Sequence, residues 1–345
     1  MNTKNKKLII LWTLRGLIKK IDGKVFINPK SKTSDLYAIL AKGLIDKKIV
    51  DQAELIWIDP RAIKKNGYVY PNVKMRIFNS TKEAEKALDK ESCEYLFIRG
   101  NYSEFSKISN SIVAGFKMFY AADPEYWPTF WPKNYFDLIF VDEKDQVIQG
   151  QKKYPKTKVT LLDKPVNTKI FKPQKIKKIY DVCYIGNFIF WKNHQLLFSA
   201  LEKIKNSHKI KVVCVGRTYN RDNELKIAAW KYHLNIKFIN EADQEMVAKI
   251  INQSKCGVIV SEKDANPRTI NETLACGVPL VVSDNLVGGK RAIKSTTGII
   301  SKNQDLPQKI AWMIKNYKKF KPAKYYNKNF NVDKVIKNCF LKNLK

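Results

Sequence analysis

"DANPRTINETLACGVPLVV", residues 264–282, sets an acid at Asp264, a second at Glu272 eight positions on, and a Gly277-Val278-Pro279 turn directly before an apolar run. "CGVIVSEK", residues 256–263, puts another apolar run just ahead of it. Together they spell a buried strand, a polar loop, a helix opening near Pro267 or Arg268, a stop at Gly277 and a second buried strand. Proline in the first turn and glycine past the last are the usual punctuation of a helix. Such a helix points its amino terminus into the loop that leaves a strand's carboxyl end, where unpaired N–H groups and the positive end of the helix dipole favour a phosphate. Arg268 can add a charge-assisted bond. Glu272, one turn further along the same side, can accept hydrogen bonds from vicinal hydroxyls such as those of a ribose. Taken alone, the two acids have an ordinary reading as well: Asp264 caps a turn and Glu272 sits in solvent.

The same strand-then-helix grammar runs through most of the chain. "KLIILW", "EYLFIRG" and "FDLIFVD" are strands of the first half, with amphipathic stretches such as "SDLYAILAKGLIDK" and "STKEAEKALDKE" between strands, each opened by a Ser or Thr able to cap a helix. "DVCYIG", "KIKVVCVG" and "PLVVSD" repeat the pattern in the second half. Beta-alpha alternation predicts parallel sheets covered on both faces. At 345 residues the chain suits two domains, each with its own core. Two prolines and a run of lysines in "DKPVNTKIFKPQKIKK", residues 163–178, mark the linker. The expected fold is therefore α/β, two doubly wound domains facing a central cleft, with ligands beyond the carboxyl ends of the strands. The divisions are 1–165, 166–325 and a final helix over 326–345.

Composition narrows the field. Lys plus Arg number 64 against 32 Asp plus Glu, a formal charge of +32. That surface should seek polyanions, although the Lys-, Asn- and Ile-rich composition also fits an AT-rich coding bias. Lysines are spread through both halves and are not gathered with aromatics on one stretch, so nucleic acid is not the expected partner. Six cysteines without a Cys-x-x-Cys pair read as small apolar packing in a reducing compartment. Arg15 interrupts the apolar start, which reads as a first strand and not a leader peptide, and no apolar run approaches the ~20 residues of a membrane span. Cytoplasm is the expected location. No G-x-G-x-x-G follows a strand, "GGKRAIKST" lacks the Walker spacing, no G-x-S-x-G is present, and His194, His208 and His233 stand at unrelated positions. No metal site and no cofactor are expected.

The string "PRTINETLACGVPLVV" resembles the signature of the retaining GT-B glycosyltransferases of family 4, the glycosyl transferases group 1: an acid, seven residues, a glutamate, then a turn with Gly-x-Pro. The family's first acid is usually glutamate, where this chain has Asp264. "DVCYIGNFIFWKNHQLLFSAL" is similar to the family's first donor-domain strand, with Gly186 and Lys192 in place and Asn187 where an arginine is common. "KVVCVGRTYN" resembles the strand and loop near the nucleotide, with Gly216 and Arg217. The resemblance covers about residues 155–300. It implies two Rossmann-like domains and a nucleoside-diphosphate sugar as donor substrate. Glu272 would hold the ribose; Lys192, Arg268 and the helix terminus the diphosphate, with Asn187, Asn266 and Thr269 beside them; Asp264 the sugar. It implies retention without a metal, whether through a nucleophilic carboxylate, which the sequence does not identify, or by front-face attack.

The first half carries weaker candidates. Thr13, Arg15 and Gly16 follow the first strand, and Arg99, Asn101 and Tyr102 follow another. Asp123 stands where family members often place a polar residue close to the transferred sugar, or it caps a turn before Pro124. Trp127, Phe130 and Trp131 stack on an acceptor or pack the core. The acceptor is a glycan, lipid-linked or protein acceptor. The basic stretch "KIAWMIKNYKKFKPAKYYNK" (309–328) would suit peripheral docking at the inner face of an anionic membrane. The alternatives are a non-catalytic sugar-nucleotide-binding relative and a basic nucleic-acid-binding protein.

Overall fold

The computed structural model describes residues 5–12, 19–21, 24–26, 33, 35–60, 62–63, 66–122, 126–205, 209–218 and 222–344. They form two compact units, Met1–Pro165 together with Val332–Lys345, and Val166–Asn331.

The first unit is built on an eight-stranded sheet in the spatial order Lys158–Leu161, Leu138–Val141, Val113–Ala121, Ser92–Arg99, Lys7–Trp12, Gln52–Ile58, Val73–Phe78, Gly67–Tyr70. All pairings are parallel except the last, an antiparallel edge. Period-2 alternation explains the unbroken apolar runs. Leu8, Ile10 and Trp12 join a core with helix Leu36–Asp46 and the C-terminal Ile336 and Phe340, while Ile9 and Leu11 face helices Thr81–Leu88 and Ser103–Ser111. From the starting strand Lys7–Trp12 the chain grows one way through Gln52–Ile58, then returns to its other side with Ser92–Arg99. The strand order reverses between Lys7–Trp12 and Ser92–Arg99.

Helix starts follow local chemistry. Ser80 accepts a hydrogen bond from the Glu83 N–H at 3.1 Å, as its sequence predicts. Helix Leu36–Asp46 is capped by Asp35 and not by a Ser or Thr: its carboxylate accepts from the Tyr37 N–H at 2.8 Å. A carboxylate is the stronger acceptor there and also faces the positive end of the dipole.

The second unit holds six parallel strands in the order Ile236–Asn240, Val212–Gly216, Tyr180–Ile185, Ser254–Ile259, Leu280–Ser283, Gly298–Ser301. Here the order reverses between Tyr180–Ile185 and Ser254–Ile259. Helices Gln244–Asn252 and Arg268–Ala275 cover one face, and His194–Glu202, Asp222–Lys231 and Leu306–Asn316 the other. All six cysteines are buried thiols, and burial pushes Cys183 up to about 11. Among the described residues no helix is long and apolar enough to cross a membrane.

Helix Pro322–Asn329 packs on Arg268–Ala275 within this unit. Its Tyr326 is wholly buried, and its hydroxyl oxygen accepts the Val166 N–H at 2.9 Å, fixing the start of the unit to its end. Tyr326→Phe should strand that buried N–H and cost about 1–3 kcal/mol; urea unfolding should show a lower midpoint with an unchanged slope.

Candidate functional site

Ligands of open α/β sheets bind outside the carboxyl ends of the strands where strand order reverses. In the second unit, the loops leaving that point are Gly186–Asn193 and Ser261–Pro267. The first is laced to its neighbour: the Gly186 N–H donates to the Val215 carbonyl at 2.8 Å, the Phe188 N–H to the Arg217 carbonyl at 2.8 Å, and the Arg217 N–H to the Asn187 side-chain oxygen at 3.3 Å. The strands' close approach forbids a side chain at Gly216, whose Cβ would lie 2.0 Å from the Gly186 carbonyl oxygen. Asn187 thus serves the backbone of the adjoining loop.

A tight turn, Phe190–Lys192, follows, ending at Asn193 in the left-handed region with φ 52°. Asn193 caps helix His194–Glu202 and donates its side-chain amide to Glu262 at 2.6 Å, while the Glu262 N–H donates to the Trp191 carbonyl at 3.0 Å. The buried Tyr184 hydroxyl donates to the Lys192 carbonyl and lies 3.3 Å from the Ser261 hydroxyl. These bonds carry Lys192 to Asp264, and the two form an ion pair with only 15% and 20% of their side chains exposed.

The second loop is held from behind. The Asp264 carbonyl accepts the Gly288 N–H at 3.0 Å. Gly289, at φ 88°, leaves no room for a Cβ, which would meet Ile270 at 2.6 Å and the Asn266 oxygen at 3.2 Å. Helix Arg268–Ala275 then begins after Pro267 with no side-chain cap and no acid in its first turn, where Thr269 is partly exposed. Unlike the solvated residue its helical position allowed, Glu272 is buried, 8% exposed, and its carboxylate lies 3.2 Å from the Arg268 guanidinium. Burial pushes the Glu272 carboxyl up, and Arg268 offsets only part of that rise. The site thus gathers two cations and a helix amino terminus beside two carboxylates, a set that can hold an anion and hydroxyl groups of one ligand.

Sequence reasoning missed the supports: Tyr184, Ser261, Asn193, Glu262 and the Gly288-Gly289 pair. Only the paired glycines carried a signal, and they fail the Walker spacing because they brace the acidic loop. In the first unit, Arg99 ends its strand, and Asn101 is tied to Thr129 by two hydrogen bonds of 2.7 and 3.0 Å. Trp127 and Trp131 are core residues and Phe130 is half exposed. Thr13, Arg15, Gly16 and Asp123 lie outside the described residues. Among the described residues no three His, Cys, Asp or Glu side chains gather as a metal site.

Residues 166–330 match the model of the glycosyl transferases group 1 family. No curated protein matches the chain in sequence. Among solved structures, sucrose-phosphate synthase from Thermosynechococcus elongatus superposes with a TM-score of 0.71 at 12% identity, covering 97% of each chain. A glycosyltransferase from Rickettsia africae gives 0.68 at 14%, covering 97% of each. Anabaena HepE, in complex with UDP and glucose, gives 0.68 at 12%, covering 97% of this chain and 98% of its own. The fold is that of the GT-B glycosyltransferases, two parallel-sheet Rossmann-like halves; at such identities the superpositions speak for the fold alone.

Glu272 gives this site a pH signature. A carboxyl whose folded pKa is raised costs stability wherever it is ionised, so stability falls as pH rises from the ordinary value of 4.5 through the raised one. Glu272→Gln should melt a few degrees above the native protein at about pH 8, with the gap closing toward about pH 4, where both side chains are neutral. Paired thermal melts at the two pH values check this.

Proposed function

We propose that this protein is a retaining, metal-independent glycosyltransferase of family 4, moving a sugar from a nucleoside-diphosphate sugar to a glycan, lipid-linked or protein acceptor. The observation that carries the reading is the Lys192–Asp264 pair set beside the uncapped start of helix Arg268–Ala275, with Glu272 buried one turn inside it. The diphosphate takes the helix N–H groups, Arg268 and Lys192, and the ribose hydroxyls donate to Glu272. On entry of the donor, Lys192 exchanges the Asp264 carboxylate for phosphate oxygens, which releases Asp264 to accept from hydroxyls of the sugar. As the glycosidic bond breaks, negative charge grows on the leaving phosphate, and fixed cations and backbone dipoles stabilise it without reorganising. HepE's complex with UDP and glucose makes a uridine diphosphate sugar the first donor to try.

A thermal-shift series with UDP-, GDP-, ADP- and dTDP-sugars tests the reading. One nucleotide class should stabilise the protein, by about 2.7 kcal/mol at one hundred times its dissociation constant, and Lys192→Ala and Glu272→Ala should each lose that stabilisation. No shift with any donor, in a folded and monodisperse sample, would overturn the donor assignment. Once turnover is found, the anomeric proton coupling of the product reads retention directly.

A further inference from the structure

We propose that the outer face of helix Leu306–Asn316, with the turn Tyr317–Lys319 after it, docks the second unit on the surface of an anionic lipid bilayer, with Trp312 entering the headgroup region. The helix is pinned from beneath: Leu306, Ile310, Met313 and Ile314, spaced i, i+4, i+7 and i+8, lie in the core against the sheet. That periodicity turns Lys309, Trp312 and Lys315 outward, and all three are exposed, Trp312 by 45%. Lys309 and Lys315 stand one turn to either side of the indole. The Asn316 side-chain amide donates to the Trp312 carbonyl at 2.8 Å, and the Lys321 N–H donates to the Thr296 carbonyl at 2.9 Å, which secures the helix end and the chain beyond it. The turn adds the exposed Lys318 and Lys319 and brings Phe320 edge-on to Trp312, with ring centroids 6.1 Å apart.

A coding bias toward lysine does not account for this face. The chain as a whole carries one acid for every two cations, whereas residues 306–332 hold seven lysines and no Asp or Glu. None of the seven side chains makes an ion pair among the described residues. Nor does a bias explain an exposed Trp between two of them, where a polar side chain would serve an ordinary solvated helix. Two signals combine here. Lysines draw a surface to anionic headgroups, and an indole, apolar in body with a polar N–H at its edge, settles at the boundary of headgroup and acyl chain. Stable attachment to a bilayer surface takes a charge signal and an apolar one together. A polynucleotide, the other polyanion, fits less well. Residues 306–332 contain no Arg to fork onto phosphate or base edges, and Trp312 is their one exposed ring for stacking.

The test is sedimentation of the full chain at low salt with phosphatidylcholine vesicles, with and without phosphatidylglycerol. The native protein should pellet only where phosphatidylglycerol is present, and added salt should release it. Lys309→Gln, Lys315→Gln and Lys318→Gln combined should weaken binding about fivefold per lysine. Trp312→Ser, which keeps every charge, should weaken it about tenfold. Melting curves check that the variants fold; should the triple variant not, Lys315→Gln alone carries the comparison. Vesicle binding needs no donor, so its outcome is independent of the transferase reading, and UDP binding should be the same in every variant. A native protein left in the supernatant with phosphatidylglycerol vesicles would overturn the proposal, as would pelleting that the lysine changes or Trp312→Ser leave unaltered. A single-stranded oligonucleotide that bound more tightly than the vesicles, through the same lysines, would overturn the assignment to lipid.

Discussion

The ion pair between Lys192 and Asp264 joins the two loops that leave the second sheet where its strand order reverses, and much of the site's geometry exists to bring these side chains together. The loops come from strands that are neighbours in space and more than seventy residues apart in sequence. Joining them takes the Asn193–Glu262 bond, the Glu262–Trp191 backbone bond and the buried Tyr184 hydroxyl. Gly216, by having no side chain, lets the neighbouring strand's loop lie against Gly186. A mostly buried pair held this way contributes little net stability, because desolvation offsets much of the attraction. Its value lies in readiness: a cation and an acceptor of hydrogen bonds stand preformed at one point.

Glu272 shows the same trade. Its carboxyl is raised by burial, and Arg268, i,i+4 along the helix and itself partly exposed, only partly offsets the cost. A helix selected for stability alone would place an apolar side chain there, as it does at Ile270 and Leu274. Retaining a carboxylate in that position makes sense if hydroxyl donors from a ligand complete its hydrogen bonding. The absence of a side-chain cap at the same helix start points the same way, since a Ser or Asp there would take the N–H groups for itself.

Much of this was legible in the chain, and the limits are physical. Period-2 apolar runs and Pro-to-Gly punctuation located helix Arg268–Ala275 and its flanking strands closely, because those signals are local. Strand order is not local: nothing in "DVCYIG" or "KCGVIVS" says that the two strands lie side by side, yet that adjacency makes Gly186–Lys192 and Asp264 one site. For the same reason the supports escaped notice. Tyr184 reads as a strand aromatic and Glu262 as a solvated acid until the loops are brought together. Asp35 displaced the expected hydroxyl cap because a sequence offers several polar candidates and backbone geometry selects one. Trp127 and Trp131 divided from Phe130 on burial, which no short window reveals.

The charge balance illustrates how composition and site differ. A formal +32 makes any one cation look ordinary, and most of the lysines are solvated side chains whose identity matters little. What distinguishes Lys192 and Arg268 is partial withdrawal from water, where electrostatic interactions strengthen and an unmatched charge becomes costly. They are matched by Asp264 and Glu272, carboxylates that a ligand bearing both anionic and hydroxyl groups can share. Paired cations suit a ligand that must be bound and let go after its charge changes.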